Sequence, residues 1–287
     1  AVFCLAYGKP WSNPNFSNLH DMTQALKFLA FDTSTDMMSV ALSQGDQTWH
    51  HHGVGGANAS AQLIPTVHAL LAQAQWQLSD LTALVVGQGP GSFTGLRTAC
   101  AVAQGLALGA NLKVIPVDSL KAVAEDARHS LDPAQDWHVA SVMDARMGEV
   151  YVGVYAWHAA TSQWTLVQPL QVGPPETMAA QLSRLKLPKM VLAGNGFEVY
   201  KDRFPLQEFE VGGVPVSCVA AVPHALALLR MAPALWAKQE AVDPEWVQPL
   251  YIRDKVAQTT AERDAIKQAK ADALAHASAF TTSSPPA

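Results

Sequence analysis

Ala83-Leu84-Val85-Val86-Gly87-Gln88-Gly89-Pro90-Gly91-Ser92-Phe93-Thr94-Gly95-Leu96-Arg97 joins a continuous apolar run to a loop dense in glycine and hydroxyl, and then to the opening of a helix. Four apolar residues with no polar alternation suit a strand buried on both faces. Beyond the loop, Leu96–Leu108 carries Ala99, Ala101, Ala103, Gly105 and Ala107, a helix short in side chains, and Gly109 is placed to end it. Lys113–Val117 is the next strand, and Asp118-Ser119 caps a helix that runs to Arg128. Strand and helix alternating in this order build a mostly parallel sheet with helices on its faces, so this stretch sets the class as α/β.

Upstream, Lys27–Phe31 ends in Asp32-Thr33-Ser34-Thr35-Asp36, Met38–Ser43 alternates with period two, and Gln47–His52 follows a Gln44-Gly45-Asp46 turn. That is an antiparallel meander. Leu63, Ile64, Val67, Leu70, Leu71 and Ala74 then fall at helical spacings, with Ser60 read as the N-cap and Pro65 near the start. Downstream the pattern begins again in miniature. Val139–Met143, the charged turn Asp144-Ala145-Arg146-Met147-Gly148-Glu149, Val150–Tyr155 and Trp164–Val167 form a second set of strands. Pro174-Pro175-Glu176 opens a helix, Met190–Ala193 is a buried strand ending at Gly194-Asn195-Gly196, and Pro223–Met231 is a last apolar helix. Residues 1–21, rich in Asn, Ser and Pro, read as a disordered leader or a misassigned start ahead of Met22, and residues 257–287 as a flexible Ala/Ser/Pro tail.

Across 287 residues, 49% hydrophobic and 15% charged side chains are the balance of a chain that buries a core. A net charge of -5 speaks against a stand-alone nucleic-acid binder. Cys4, Cys100 and Cys218, odd in number and far apart, support neither a disulfide framework nor a zinc knuckle and fit a reducing, cytoplasmic compartment. The charge-free stretch after Arg97 is interrupted by Gln104, Gly105 and Gly109 and is too short to cross a bilayer, so no membrane partner is expected. His50-His51-His52 lie in an alternating strand, where successive imidazoles point to opposite faces and cannot share one ion. No metal site is expected, and Ser92 does not sit in a G-x-S-x-G elbow.

Two loops have the composition of a phosphate site. Asp32, Thr33, Ser34 and Thr35 stand at a strand-to-strand turn, where amides and hydroxyls can cup a phosphate and a carboxylate can hold magnesium through water. A capped turn uses the same residues. Gly89, Gly91, Ser92, Thr94 and Gly95 lie between a buried strand and a helix N-terminus, which attracts anions, although tight turning and close helix packing ask for the same glycines. The loop lacks the Lys of a P-loop and the spacing of a dinucleotide fingerprint. Asp144, Arg146 and Glu149 read either as pairing among themselves or as touching a partner.

Leu29-Ala30-Phe31-Asp32-Thr33-Ser34-Thr35, Gly89-Pro90-Gly91-Ser92-Phe93-Thr94-Gly95-Leu96-Arg97, Ala103-Gln104-Gly105-Leu106-Ala107, the Asp144–Tyr151 hairpin and Pro249-Leu250-Tyr251-Ile252-Arg253 together resemble the TsaB (YeaZ) family in order and spacing, from about Leu26 to Val256. The resemblance implies a two-lobed actin-like ATPase (ribonuclease H-like) fold with a complete first lobe, residues 22–127, a reduced second lobe, residues 128–238, and a segment, residues 239–256, returning to the first. It also implies a non-catalytic accessory role in forming threonylcarbamoyladenosine beside the anticodon of tRNAs that read A-starting codons. Such a chain has no cofactor of its own. It pairs with a TsaD-type transferase, is joined by a TsaE-type ATPase, and forms a homodimer when alone; ATP or ADP and a divalent metal belong to the complex, through which tRNA is met.

The family's partner face maps onto the two first-lobe helices, through Leu63, Val67, Leu70, Ala74, Leu96, Ala99, Ala103 and Ala107. Small residues four apart let a partner helix approach closely, and packing inside the lobe is the competing use of the same side chains. Ala103→Glu is accordingly expected to block pairing with the fold intact. One position departs from the family: members often carry a His shortly before the first of these helices, where this chain has Ala59. A stand-alone actin-like phosphotransferase or ATPase, built on Asp32 and the Gly89–Gly95 loop, is the alternative.

Overall fold

β1 (Lys27–Asp32), β2 (Met37–Gln44) and β3 (Gln47–Val54) form the antiparallel meander. β4 (Ala83–Gly89) joins β1 in parallel and β5 (Lys113–Asp118) joins β4 in parallel, giving a five-stranded sheet in the order β3-β2-β1-β4-β5. The computed structural model describes residues 26–204, 210, 211 and 214–253, so the expected leader and tail lie outside the described residues.

The second lobe contains β6 (Trp137–Asp144), β7 (Val150–His158), β8 (Gln163–Gly173), β9 (Met190–Gly194), a short hairpin of β10 (Glu210–Val211) and β11 (Val214–Pro215), and β12 (Ser217–Val219). Its sheet runs β8-β7-β6-β9-β12, the first-lobe order with the same antiparallel and parallel pairings. The lobes are two copies of one topology in a two-lobed actin-like fold. What is reduced in the second is a helix. The first lobe has α1 (Ala59–Ala74), α2 (Phe93–Ala110) and α3 (Ser119–Arg128); the second has α4 (Pro175–Arg184), α5 (Gly196–Val199) and α6 (Ala225–Ala237). The 18 residues of α2 correspond to only 4 in α5.

Helix ends differ from the sequence expectation in several places: α6 covers Ala225–Ala237 rather than Pro223–Met231, and α2 begins at Phe93 rather than Leu96. α1 starts at Ala59 after a 3₁₀ turn over Gly56–Asn58, without a side-chain cap, so Ser60 is inside the helix and Pro65 is well within it. Pro65 forgoes the bond its N–H would donate four residues back, and burial of Leu63, Val67 and Leu70 on one face holds the helix regardless. α2 continues through Gly109 and closes at Asn111, which takes the left-handed conformation at φ 53°.

The core lies on both faces of the first sheet. Leu29, Phe31, Met38 and Val40 pack with Leu63, Val67, Ala99 and Ala103 of α1 and α2, while Phe28, Ala30, Val85 and Ile115 pack with Leu228 and Leu235 of α6. A third cluster, including Val142, Val152, Leu182 and Leu192, fills the second lobe. α6 therefore belongs to the second repeat in sequence and covers the first lobe's sheet, with α3 packed against both α6 and β6. At this junction the buried Glu125 accepts bonds from Arg128, Arg230 and the Trp164 indole. The chain then returns to the first lobe: Val242 bridges to Val114, Gln104 Nε2 donates to the Val247 carbonyl at 2.8 Å, and Leu250 N–H donates to Gln88 at 2.7 Å. Among the described residues no helix is long and apolar enough to cross a membrane.

Candidate functional site

β1 delivers Asp32 to the end of the first sheet, where its carboxylate turns inward and is buried. It accepts the Ser34 N–H at 2.7 Å, the Ser34 hydroxyl at 2.6 Å and the Ser119 hydroxyl at 2.9 Å. Burial pushes the carboxyl above its usual range and outweighs the serine hydrogen bonds, which pull it down. Gly87 lies against it so closely that a Cβ there would stand 1.7 Å from Oδ2. Beside it, Asp118 caps α3 by accepting the Lys121 N–H at 2.6 Å, takes the Tyr155 hydroxyl at 2.6 Å, and is likewise raised by burial. Burial, aided by the Asp32 charge, pushes the Cys100 thiol up to about 11, so it is an inert core group.

The two loops singled out as phosphate sites are packed on each other. Ser92 N–H donates to the Ser34 carbonyl at 2.7 Å, and the Thr33 hydroxyl donates to the Gly95 carbonyl at 2.7 Å. A Cβ on Gly91 would sit 2.4 Å from the Ser34 carbonyl oxygen, and one on Gly95 would sit 1.8 Å from that of Thr33. Both glycines are thus required by close backbone approach. Three of the loop's donors are engaged within the protein: Ser92 N–H on Ser34, Gly95 N–H on the Ser92 hydroxyl at 3.4 Å, and Leu96 N–H on the Ser92 carbonyl at 2.9 Å. Gly89 takes φ +112° at the start of the loop; Ser92 and Thr94 are exposed at its rim, and Thr35 accepts the Met37 N–H at 3.1 Å. The two loops pack directly on one another.

In the second lobe Asp144 ends β6 as Asp32 ends β1. It accepts Arg146 N–H at 2.8 Å, the Tyr200 hydroxyl at 2.8 Å and Arg146 Nη1 at 3.1 Å, while its own N–H donates to Asn195 Oδ1 at 3.0 Å. Asp144 and Arg146 pair as the sequence suggests. The reach of Arg146 to Asp36 of the first lobe was not legible, and the only signal for it was the repeat, which places the two turns at equivalent sheet ends. The histidines of β3 are exposed, and His52 stacks on His224, the N-cap of α6, at 4.7 Å between centroids. Among the described residues no group of three or more His, Cys, Asp or Glu side chains is placed to hold a metal.

The side chains assigned to a partner need correction. Leu63, Val67, Leu70, Leu96, Ala99, Ala103 and Ala107 are buried in the first lobe, and Ala74 is half-buried against the same cluster. Small residues four apart let α2 approach its own sheet, so a glutamate at Ala103 would break the lobe. The outward faces of the two helices are formed by Ala61, Ile64, His68 and Ala72 on α1 and by Arg97, Ala101, Gly105 and Leu108 on α2. Ala59 is the buried first residue of α1.

Residues 50–261 match the family model described as TsaD: tRNA N6-adenosine threonylcarbamoyltransferase. The chain is 32% identical over 239 residues to a tRNA threonylcarbamoyladenosine biosynthesis protein TsaB of Haemophilus influenzae, covering 81% of this chain and 96% of that one. It is equally 32% identical to the protein of that name from Escherichia coli, over 81% of this chain and 96% of the other. Among solved structures, YeaZ from Pseudomonas aeruginosa superposes with a TM-score of 0.67 at 34% identity, covering 79% of this chain and all of that one. With a likeness that runs nearly the whole length of these relatives, the chain belongs to the TsaB (YeaZ) family.

Proposed function

We propose that this chain is a non-catalytic accessory subunit in the formation of threonylcarbamoyladenosine on tRNA, pairing with a TsaD-type transferase that is joined by a TsaE-type ATPase. The names of its relatives support the pathway. The observation that carries the accessory reading is the closure of the Asp32 turn on the Gly89–Gly95 loop. A phosphotransferase of this fold needs its carboxylate and phosphate-binding amides open to a nucleotide. Here Asp32 is enclosed by serines, and the Ser92, Gly95 and Leu96 amides are bonded within the protein. ATP or ADP and a divalent metal then act in the partner complex, and tRNA is met through that complex.

The outer surface of α1 and α2 suits such a partner. α1 contains no charged residue, α2 contains only Arg97, and Ile64 and Leu108 are exposed large apolar side chains. An uncharged surface costs little to desolvate, and a Cβ on Gly105 or Gly109 would meet nothing within 4 Å, so another backbone can come close. Ile64→Glu and Leu108→Glu should each abolish co-elution with the TsaD-type protein while leaving circular dichroism unchanged. Co-elution retained by both variants would move the partner to another face.

A further inference from the structure

The β6–β7 turn holds three consecutive left-handed residues, Arg146 at φ 59°, Met147 at φ 57° and Gly148 at φ 77°. Glycine adopts this conformation freely, whereas arginine and methionine do so against their preference and need the surroundings to hold them. Asp144 supplies part of that hold by accepting the Arg146 N–H at 2.8 Å. The result is a guanidinium shared between the lobes: Nη1 donates to Asp144 Oδ2 of its own lobe at 3.1 Å, and Nη2 donates to Asp36 Oδ2 of the other at 2.5 Å. Both carboxylates raise the Arg146 pKa, Asp36 more than Asp144, so the guanidinium stays charged.

We infer that Arg146 is a detachable strap that ties the β1–β2 turn of the first lobe to the β6–β7 turn of the second and holds their spacing. The two carboxylates come from equivalent turns of the repeated topology, and without a cation between them they repel. Arginine fits because its planar fork can serve two acceptors at once, which an ammonium point charge does poorly. The two ends differ. The Asp144 side chain is 10% exposed and also holds Tyr200, whereas Arg146 and Asp36 are 68% and 74% exposed. The link to Asp36 is therefore weak and screened by salt, while the anchor on Asp144 persists. The strap lets go at the first lobe and stays with the second. This link is separate from the buried Glu125 junction, which joins α3, α6 and β8.

The test is an interlobe distance distribution on the full chain. Cys4 and Cys218 are replaced by serine, and spin labels are placed on cysteines substituted at the exposed Asp46, in the β2–β3 turn, and the exposed Gln181, on α4. The parent should give a narrow distribution at about 0.01 M salt and a broader one at about 1 M, where the screening length falls from about 30 Å to about 3 Å. Arg146→Ala and Asp36→Asn should broaden it at low salt and abolish the salt response. Asp36→Asn alters only an exposed side chain and keeps the Arg146–Asp144 pair, so it carries the test if Arg146→Ala misfolds. A low-salt distribution in Asp36→Asn identical to that of the parent would overturn the strap.

Discussion

Glu125→Ala should cost the protein about 3 kcal/mol, the lower end of the range for breaking a buried ion pair. The Glu125 side chain is 2% exposed, and its paired arginines are 14% and 25% exposed, so little water is at hand to replace it. It accepts Arg128 Nε at 2.8 Å, Arg128 Nη2 at 2.6 Å, Arg230 Nε at 3.0 Å and Trp164 Nε1 at 2.9 Å. With the carboxylate gone, Arg230 still has Asp126 at 3.7 Å, which places the loss at the low end. Among the described residues Arg128 keeps its stacking over Trp157 at 4.2 Å, and the Trp164 N–H is left without its acceptor. Urea unfolding followed by circular dichroism reads this as a lower midpoint at unchanged slope. Replacing the whole group, Glu125→Leu with Arg128→Met and Arg230→Met, should recover most of the loss, because an apolar cluster needs no counter-charge. A loss below about 1 kcal/mol for Glu125→Ala would mean the junction is solvated like a surface pair, and the desolvation argument would fail.

Gly95→Ala should destabilise by about 1–3 kcal/mol or more, since its Cβ would meet the Thr33 carbonyl oxygen at 1.8 Å with backbone on both sides, whereas Gly105→Ala, which meets nothing within 4 Å, should raise stability by up to about 1 kcal/mol; thermal denaturation of the pair decides it. His224 caps α6 by accepting the Leu226 N–H on Nδ1 at 3.2 Å, and burial, followed by His52, holds its pKa below the ordinary 6.5 against the opposing pull of Asp126. Its neutral form is the folded one, so its contribution should be complete above pH 6.5 and fall as pH drops from 6.5 toward the depressed value. His224→Asn, which keeps a cap without a proton to gain, should flatten that dependence; identical pH–stability curves for the two proteins between about pH 5 and pH 8 would refute it.

The strand and helix order could be seen in the sequence because each element carries its own period: the alternation of Met38–Ser43, the unbroken run Ala83–Val86, and the spacing of Leu63, Val67 and Leu70 are local signals. The partner side chains could not. Ala99, Ala103 and Ala107 mark one smooth face of α2, and such a face fits a sheet as well as it fits another protein; the positions of β4 and α1 decide for the sheet. Ser92 and Gly95 suit an anion and close packing equally in the sequence, and the packing use becomes visible only with the approach of Thr33 and Ser34 from the β1–β2 turn. Glu125 stands in Glu125-Asp126-Ala127-Arg128, which reads as a solvated helix end until α6 and Trp164 arrive from far along the chain. The Arg146–Asp36 contact spans 110 positions and has no local signature at all.

Nucleoside mass spectrometry of tRNA incubated with threonine, bicarbonate, ATP and the cognate TsaC-type, TsaD-type and TsaE-type proteins, with and without this chain, tests the accessory role most directly. Threonylcarbamoyladenosine should form only when the chain is present, and should form equally well when the chain carries Asp32→Asn, provided that variant folds. Equal product in its absence would contradict the proposed role.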